Sequence, residues 1–321
     1  MKQFLVFILN TVLVSCAPAP TPQSVPASTS TFIQFTPALT HVAPSATFTP
    51  VFPTPTSTPE VCDPSRADYC ITDGHFIFQR PIKPPANTSV DATYPYASTA
   101  NGKRDPHHGV EFLNKFGTPV YAAGDGIVLF AGSDTAAVYS PWPNYYGNLI
   151  VIGHADNLYT LYAHLSKSTV IAGQNVLAGA PIGEVGQSGV AIGSHLHFEV
   201  RRGEVEEYFS TQNPELWLVP NQDQTGSPFG VLQIAVVDGA NHLIKRAEYT
   251  LQYFAEPDQP SGTIYYGVTY SADMLTGEEN AVIGDLPPGK YRIALQYNGQ
   301  HFERWVEVKS GRLTQVVFTV K

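Results

Sequence analysis

Between residues 75 and 220, short apolar runs alternate with glycine-rich breaks: GTPVYAAGDGIVLFAG (117–132), YYGNLIVIGHA (145–155), LYTLYAHLS (158–166), GQNVLAGAPIGEVG (173–186) and SHLHFEVRRG (194–203). The runs are rich in Val, Ile and Tyr, and no long segment repeats its apolar positions every 3.6 residues, so they predict antiparallel strands rather than helices. Paired glycines mark the tight turns between them. After residue 228 the pattern changes to about seven alternating runs, from GVLQIAVVD to LTQVVFTVK, separated by turn signals such as PPG at 287–289 and YNGQ at 297–300. Strands at such intervals predict a small β-sandwich. The expected fold class is therefore all-β: an antiparallel sheet domain over residues 61–222, with an N-terminal extension, followed by a β-sandwich over 228–321.

The first sixty residues have a different character. MKQFLVFILNTVLVS combines one lysine with an apolar stretch too short and too interrupted for a spanning helix, which suits a signal peptide over residues 1–15. Its end, Leu13-Val14-Ser15-Cys16, resembles the lipobox of bacterial lipoproteins. That resemblance implies a lipid on Cys16 and a mature protein held to a membrane outside the cytoplasm; an ordinary secretory signal is the alternative. Residues 16–60 are a Pro/Thr/Ser/Ala tract almost without charge and read as an extended spacer. Cys62 and Cys70 bracket a short polar segment where the spacer ends, and in an oxidising compartment this spacing favours a local disulfide. A net charge of −9, with no cluster of Lys and Arg, argues against a nucleic-acid partner.

Chemistry concentrates in the histidines. In IGSHLHFEV, side chains two apart on a strand share a face, so His195 and His197 point together, either flanking a metal or facing water. His107 and Glu111 frame HHGVE, and His164 closes LYAHL. Three separated patches of this kind, brought together by neighbouring strands, can supply the N and O ligands of a catalytic zinc site with one position left for water. Gly109 would let the backbone pass close to a metal or substrate.

Together and in this order, the patches and the glycine-punctuated runs from about Tyr94 to Val200 resemble the lysostaphin/LytM-type zinc metalloendopeptidases, which cut peptide cross-links in the bacterial cell wall. The resemblance implies a Zn2+ cofactor held by His107, Glu111 and His197, with His164 and His195 lining its open side as catalytic groups, and peptidoglycan peptides as substrate. It picks His107 over His108 as ligand, leaving His108 as an exposed or outer residue, and makes His154 structural. Arg104 is a candidate for gripping a substrate carboxylate, or is simply a surface arginine. The aromatic, Pro-rich stretch 136–146 either walls a groove or packs on the domain's own surface.

The chain departs from the family in one ligand, carrying Glu111 where the family has aspartate. The extra methylene requires the carboxylate to bend back or the backbone to retreat by about 1 Å to keep normal Zn–O distances. An intact site with adjusted geometry is expected. The alternatives are a non-hydrolytic module of the same fold that binds or regulates a wall enzyme, and a hydrolase of some non-wall protein. The segment AVIGDLPPGKYRIAL resembles carboxypeptidase-regulatory and Cna-B-like sandwich modules, in which nothing looks catalytic.

Overall fold

The structure, a computed structural model, describes residues 62–256, 259–272, 274 and 278–321. The signal segment, the spacer and Cys16 lie outside the described residues. Two bodies of β-structure fill residues 62–321, and short 3-10 turns are the only helical elements among the described residues.

The larger body is a nine-stranded sheet. It contains β2 (Val110–Leu113), β3 (Pro119–Tyr121), β4 (Gly126–Ser133), β5 (Asn148–Gly153), β6 (Leu158–Ser168), β7 (Asn175–Val176), β8 (Pro181–Val185), β9 (His195–Arg202) and β10 (Thr211–Gln212). The main path runs β10-β9-β6-β5-β4-β7; β2 pairs with β9, and β8 pairs with both β3 and β6. All of these pairings are antiparallel. Strand alternation sorts β9 into two faces: Leu196, Phe198 and Val200 enter the main core beside Val110, Phe112, Ile150 and Tyr162, while His195, His197, Glu199 and Arg201 face the other way. A smaller cluster of Tyr139, Tyr146, Leu149, Val151, Leu161, Ala163 and Tyr208 covers part of that second face.

The second body consists of two four-stranded sheets around one core. One sheet has the order β1 (Cys70–Thr72), β17 (Leu313–Thr319), β11 (Gly230–Val237), β14 (Ala281–Leu286); the other has β13 (Gln259–Val268), β12 (Glu248–Glu256), β15 (Gly289–Tyr297), β16 (Gln300–Val308). Leu232, Ile234, Val316 and Phe318 from the first sheet share the core with Leu251, Tyr291, Ile293 and Val306 from the second. The seven tail strands match the seven alternating runs, but an eighth comes from elsewhere. Cys70–Thr72, in the segment expected to extend the first domain, pairs with Leu313–Gln315 of β17 and so closes the tail's own sheet. The Cys62–Cys70 disulfide lies at the start of this strand.

Polar side chains fasten the two bodies together. Arg80 pairs with Asp285 at 2.6 Å, Asn221 donates to both Asp285 oxygens at 2.8 Å, and the Glu215 carboxylate accepts the Gly284 N–H at 2.9 Å. Burial, reinforced by Asp285, pushes the Glu215 carboxyl up to about 7, against the opposing pull of the Gly284 N–H and Arg80. A carboxyl whose folded value is raised in this way favours the folded state fully below its ordinary value of 4.5 and loses that contribution as pH rises through about 7. Wild-type Tm is therefore expected to fall between pH 4.5 and 7.5 relative to Glu215→Gln, which carries no titrating group at this position. Calorimetric scans of both proteins across this range check the difference; parallel curves would contradict it.

Candidate metal centre

β9 lies between β2 and β6, and this placement assembles the site. Across β2, Glu111 pairs directly with His197 and Leu113 with His195; across β6, Ala163 pairs with His197. Residues directly opposite in an antiparallel pair share a face, so Glu111, His195 and His197 converge without a special loop. His107 arrives from the segment leading into β2. His164 comes from β6, where regular alternation would place Ala163 and not its neighbour on this face. The β5–β6 pairing shifts register here, and His164 takes a left-handed backbone conformation, φ +61°. This bulge turns the imidazole toward the other histidines, with ring centroids 4.9 Å from His195 and 5.6 Å from His197. Five residues, His107, Glu111, His164, His195 and His197, thus line one open cavity of about 550 Å³.

Each imidazole is held by one nitrogen, which leaves the other free. His107 Nδ1 lies 3.3 Å from the Pro95 carbonyl, His164 Nδ1 2.9 Å from the Ser188 carbonyl and His195 Nδ1 3.1 Å from the Gly193 carbonyl. Carbonyls only accept, so these Nδ1 atoms carry the proton and each Nε2 keeps a lone pair. In His197 the roles are reversed: Nε2 donates to Glu199 Oε1 at 3.0 Å, leaving Nδ1 as the free donor atom. Burial first, and the neighbouring imidazoles after it, lower His107 well below the ordinary histidine value and bring His164 down to about 3. These two rings are neutral near pH 7 and available as ligands or bases.

His107 Nε2, Glu111 Oε1 and His197 Nδ1 form the group a metal ion would require. His107 Nε2 is 3.2 Å from His197 Nδ1 and 3.7 Å from Glu111 Oε1, and ligand atoms of all three residues lie within 4.8 Å of one another. Ligands about 2.1 Å from a tetrahedral zinc stand roughly 3.4 Å apart, so the set fits such an ion. Glu111 Oε1 also lies 3.5 Å from His195 Nε2, a buried atom with no hydrogen-bond partner. The glutamate arm therefore lies across the floor of the site, within reach of both flanking histidines.

Supporting contacts reach beyond the five residues. Glu199 is fully buried, accepting from His197, from Tyr146 Oη at 2.6 Å and from Arg201 Nε at 2.9 Å, and Arg201 also donates to Tyr146 Oη, Tyr139 O and Val205 O. Burial alone would raise the Glu199 carboxyl, but the Arg201 guanidinium and the His197 hydrogen bond more than offset it, and the group stays ionised. Neither residue had been singled out from the sequence, although the signal was present: HLHFEVR places His, His, Glu and Arg at strict alternate positions between apolar residues. On the opposite side, the Tyr94 ring stacks on His107 at 4.1 Å and carries the Arg104 guanidinium 5.1 Å above it.

The structure places the remaining residues as follows. Gly109 lets the β9 backbone and the His197 ring approach, since the nearest atoms to a Cβ there would be the Phe198 carbonyl oxygen and His197 Nε2, at 2.4 and 2.9 Å. His108 is buried rather than exposed, its ring tilted against Tyr208 at 3.8 Å and its Nδ1 3.2 Å from Thr211 Oγ1, and it takes no part in the ligand set. His154 bonds Asp125 O and Thr160 Oγ1 away from the cavity. The aromatic stretch does both things expected of it: Tyr139 and Tyr146 pack inward while Tyr145 lines the cavity.

An all-β domain in which two imidazoles and a carboxylate converge beside two further neutral imidazoles has the outline of a metal-dependent hydrolase. Residues 105–209 match Peptidase family M23, and the chain carries a domain of that family. It is 37% identical over 119 residues to the peptidoglycan DD-endopeptidase ShyA of Vibrio cholerae, a match covering 37% of this chain and 26% of that one. It is 41% identical over 95 residues to the DD-carboxypeptidase/endopeptidase Mpg of Neisseria meningitidis, covering 30% and 20%. The match thus spans about a quarter or less of these relatives. Among solved structures, the catalytic domain of the antimicrobial peptidase lysostaphin from Staphylococcus simulans is similar at 29% identity, covering 46% of this chain and 90% of that domain, with a TM-score of 0.30.

Glu199→Gln removes the charge that holds both His197 and Arg201. Loss of a ligand's hydrogen-bonded carboxylate should weaken divalent-metal affinity about 10–100-fold. A buried guanidinium left without its partner should cost about 3–5 kcal/mol of stability. Chelator-competition titration and denaturant unfolding measure the two effects separately.

Proposed function

We propose that this protein is a zinc-dependent endopeptidase that hydrolyses peptide bonds in bacterial cell-wall peptidoglycan. The observation that carries this reading is the set of four imidazoles, each tied at one ring nitrogen and presenting the other to a cavity that also holds Glu111. The reading is further supported by one relative named as a peptidoglycan DD-endopeptidase and another named as a DD-carboxypeptidase/endopeptidase. We also propose that Cys16 carries a lipid and that the protein works outside the cytoplasm on a membrane tether, which the composition of residues 1–60 supports.

His107, Glu111 and His197 would hold the zinc, which when bound supplies Lewis acidity that brings a water's pKa toward 7 and polarises a peptide carbonyl. The chain's remaining groups handle protons and position. His164 and His195 each face the cavity with an unprotonated Nε2, so either can take a proton from the attacking water and return it to the departing amine. Once protonated, the imidazole can donate to the negative charge developing on the carbonyl oxygen. Their Nδ1 bonds to Ser188 and Gly193 hold both rings in the tautomer this requires. Tyr94, stacked on His107, and Tyr145 wall the cavity on either side.

His164→Ala should lower kcat on purified cross-linked muropeptides by about 10²–10⁴-fold. Zinc content by atomic emission should remain near that of wild type, because His164 is outside the ligand set. A variant that keeps its activity, or wild-type protein that leaves the cross-link intact, would retire the proposal. Arg104→Ala tests the rim: a KM raised about fivefold with kcat little changed marks a grip on substrate, whereas an unchanged KM leaves Arg104 as a cover for Tyr94.

A further inference from the structure

The catalytic cavity is lined by residues between Asp91 and His197, and one of its walls also faces the sandwich. The segment 89–97 forms its wall on the side of the sandwich, with side chains that serve both. Tyr94 stacks on His107, whereas Tyr96 turns away, meets Tyr270 of the sandwich edge-on at 5.3 Å and bonds Thr211 O at 2.9 Å. Ser271 N donates to Ala97 O, and Asn213 donates to Tyr270 Oη, so the sandwich is fixed against this segment. Asp91 borders the catalytic cavity and also a second cleft of about 260 Å³ between segment 89–97 and the sandwich. Tyr266 and Val268 border that cleft and also a third hollow of about 500 Å³ on the sandwich's outer face, beside Thr250, Gln296 and His301.

The residues along this path are unusual for a free surface. β13 is an edge strand, paired only with β12, and its alternate residues Ile264, Tyr266 and Val268 share the outer face at 41%, 81% and 51% exposure. Inward, Gly267 leaves the space that the Tyr249 ring fills, which fixes the strand where Tyr266 stands out. Among the described residues no ring stacks on Tyr266, and a row of exposed apolar side chains beside a cleft that adjoins the cavity marks a contact surface. The polar groups beside it are a threonine hydroxyl, a glutamine amide, an imidazole and, opposite Val268, the Glu248 carboxylate. One flat, exposed aromatic ring flanked mainly by neutral donors and acceptors suits a sugar ring, which has apolar C–H faces and a hydroxyl rim, and a carboxylate accepts from such hydroxyls.

We propose that the exposed outer face of β13, centred on Tyr266 and neighbouring the cleft that shares Asp91 with the catalytic cavity, binds the amino-sugar backbone of the polymer whose peptide enters the metal site. This rests on the peptidoglycan reading above and adds a second point of attachment to it. A substrate in which peptides hang from a glycan strand can satisfy both surfaces at once, whereas a loose peptide satisfies only one. The two sites act as linked modules, so polymer is held more tightly than either part alone.

The test is retention of the full chain on glycan strands stripped of their stem peptides by an amidase and then immobilised on beads, with His164→Ala in the background so that nothing is cut. The silenced protein should sediment with the stripped glycan, Tyr266→Ala should lower its affinity about tenfold, and Tyr266→Phe, which keeps the ring, should restore it. Absence of retention, or equal retention by Tyr266→Ala with an unchanged circular dichroism spectrum, overturns the proposal. No retention on glycan together with retention on an immobilised extended peptide that Tyr266→Ala abolishes also overturns it and assigns the edge of β13 to strand pairing. Because this assay needs no hydrolysis, its failure is distinct from failure to cleave muropeptides.

Discussion

Everything at the metal centre depends on the two-residue repeat of β9 held between β2 and β6. Leu196, Phe198 and Val200 anchor the strand in the main core, and burial of that order, roughly 1.5–3 kcal/mol for each large side chain, makes a slip in register prohibitive. With register set, His195, His197, Glu199 and Arg201 have no choice of face. Four polar side chains then stand in line on an apolar domain, tolerable only because each finds a partner. Arg201 binds Glu199, Glu199 orients His197, and Tyr146 bridges acid and base. The ionic anchor and the ligand are therefore one row of side chains, and its far end is rigid where its near end must be open.

The strands and the shared face of His195 and His197 were legible because both depend on local periodicity and residue type, whereas His107, Glu111 and His164 joined them only through the family resemblance. Seven runs in the tail correspond to seven strands, and the HxH pair lies on one face because a strand's period is two. What escaped reading depends on long-range pairing. Nothing in LYAHL announces that the register shifts at His164 and gives it a left-handed backbone; the bulge is a product of its pairing with β5. Nor does CIT at residues 70–72 show that its partner is β17. Gly109 stands at a close approach, as its residue type suggests, but the approaching groups, the Phe198 carbonyl and the His197 ring, both come from β9. Glu199 and Arg201 could have been found, since an Arg at 0% exposure is tolerable only beside a carboxylate, and the alternating pattern names which one.

The junction between the two bodies follows similar logic at lower density. Asp285 gathers Arg80 and two donors from Asn221, and Glu215 lies close enough to share its field. Two carboxylates near one guanidinium cannot both be fully compensated, and the more deeply buried of them bears the difference. Aromatic contacts between Tyr96 and Tyr270 supply the apolar part of the same junction.

The pairing of β1 with β17 bears on the order in which the molecule forms. Residues 70–72 precede the nine-stranded sheet in sequence, but their partners at 313–315 follow it, so the whole of that sheet lies between them. A chain emerging from its amino end can complete the nine-stranded sheet first and must keep a short strand unpaired until residues 313–315 appear. The β1–β17 pairing thus encloses the larger sheet within a single long-range closure, one that local folding alone cannot make.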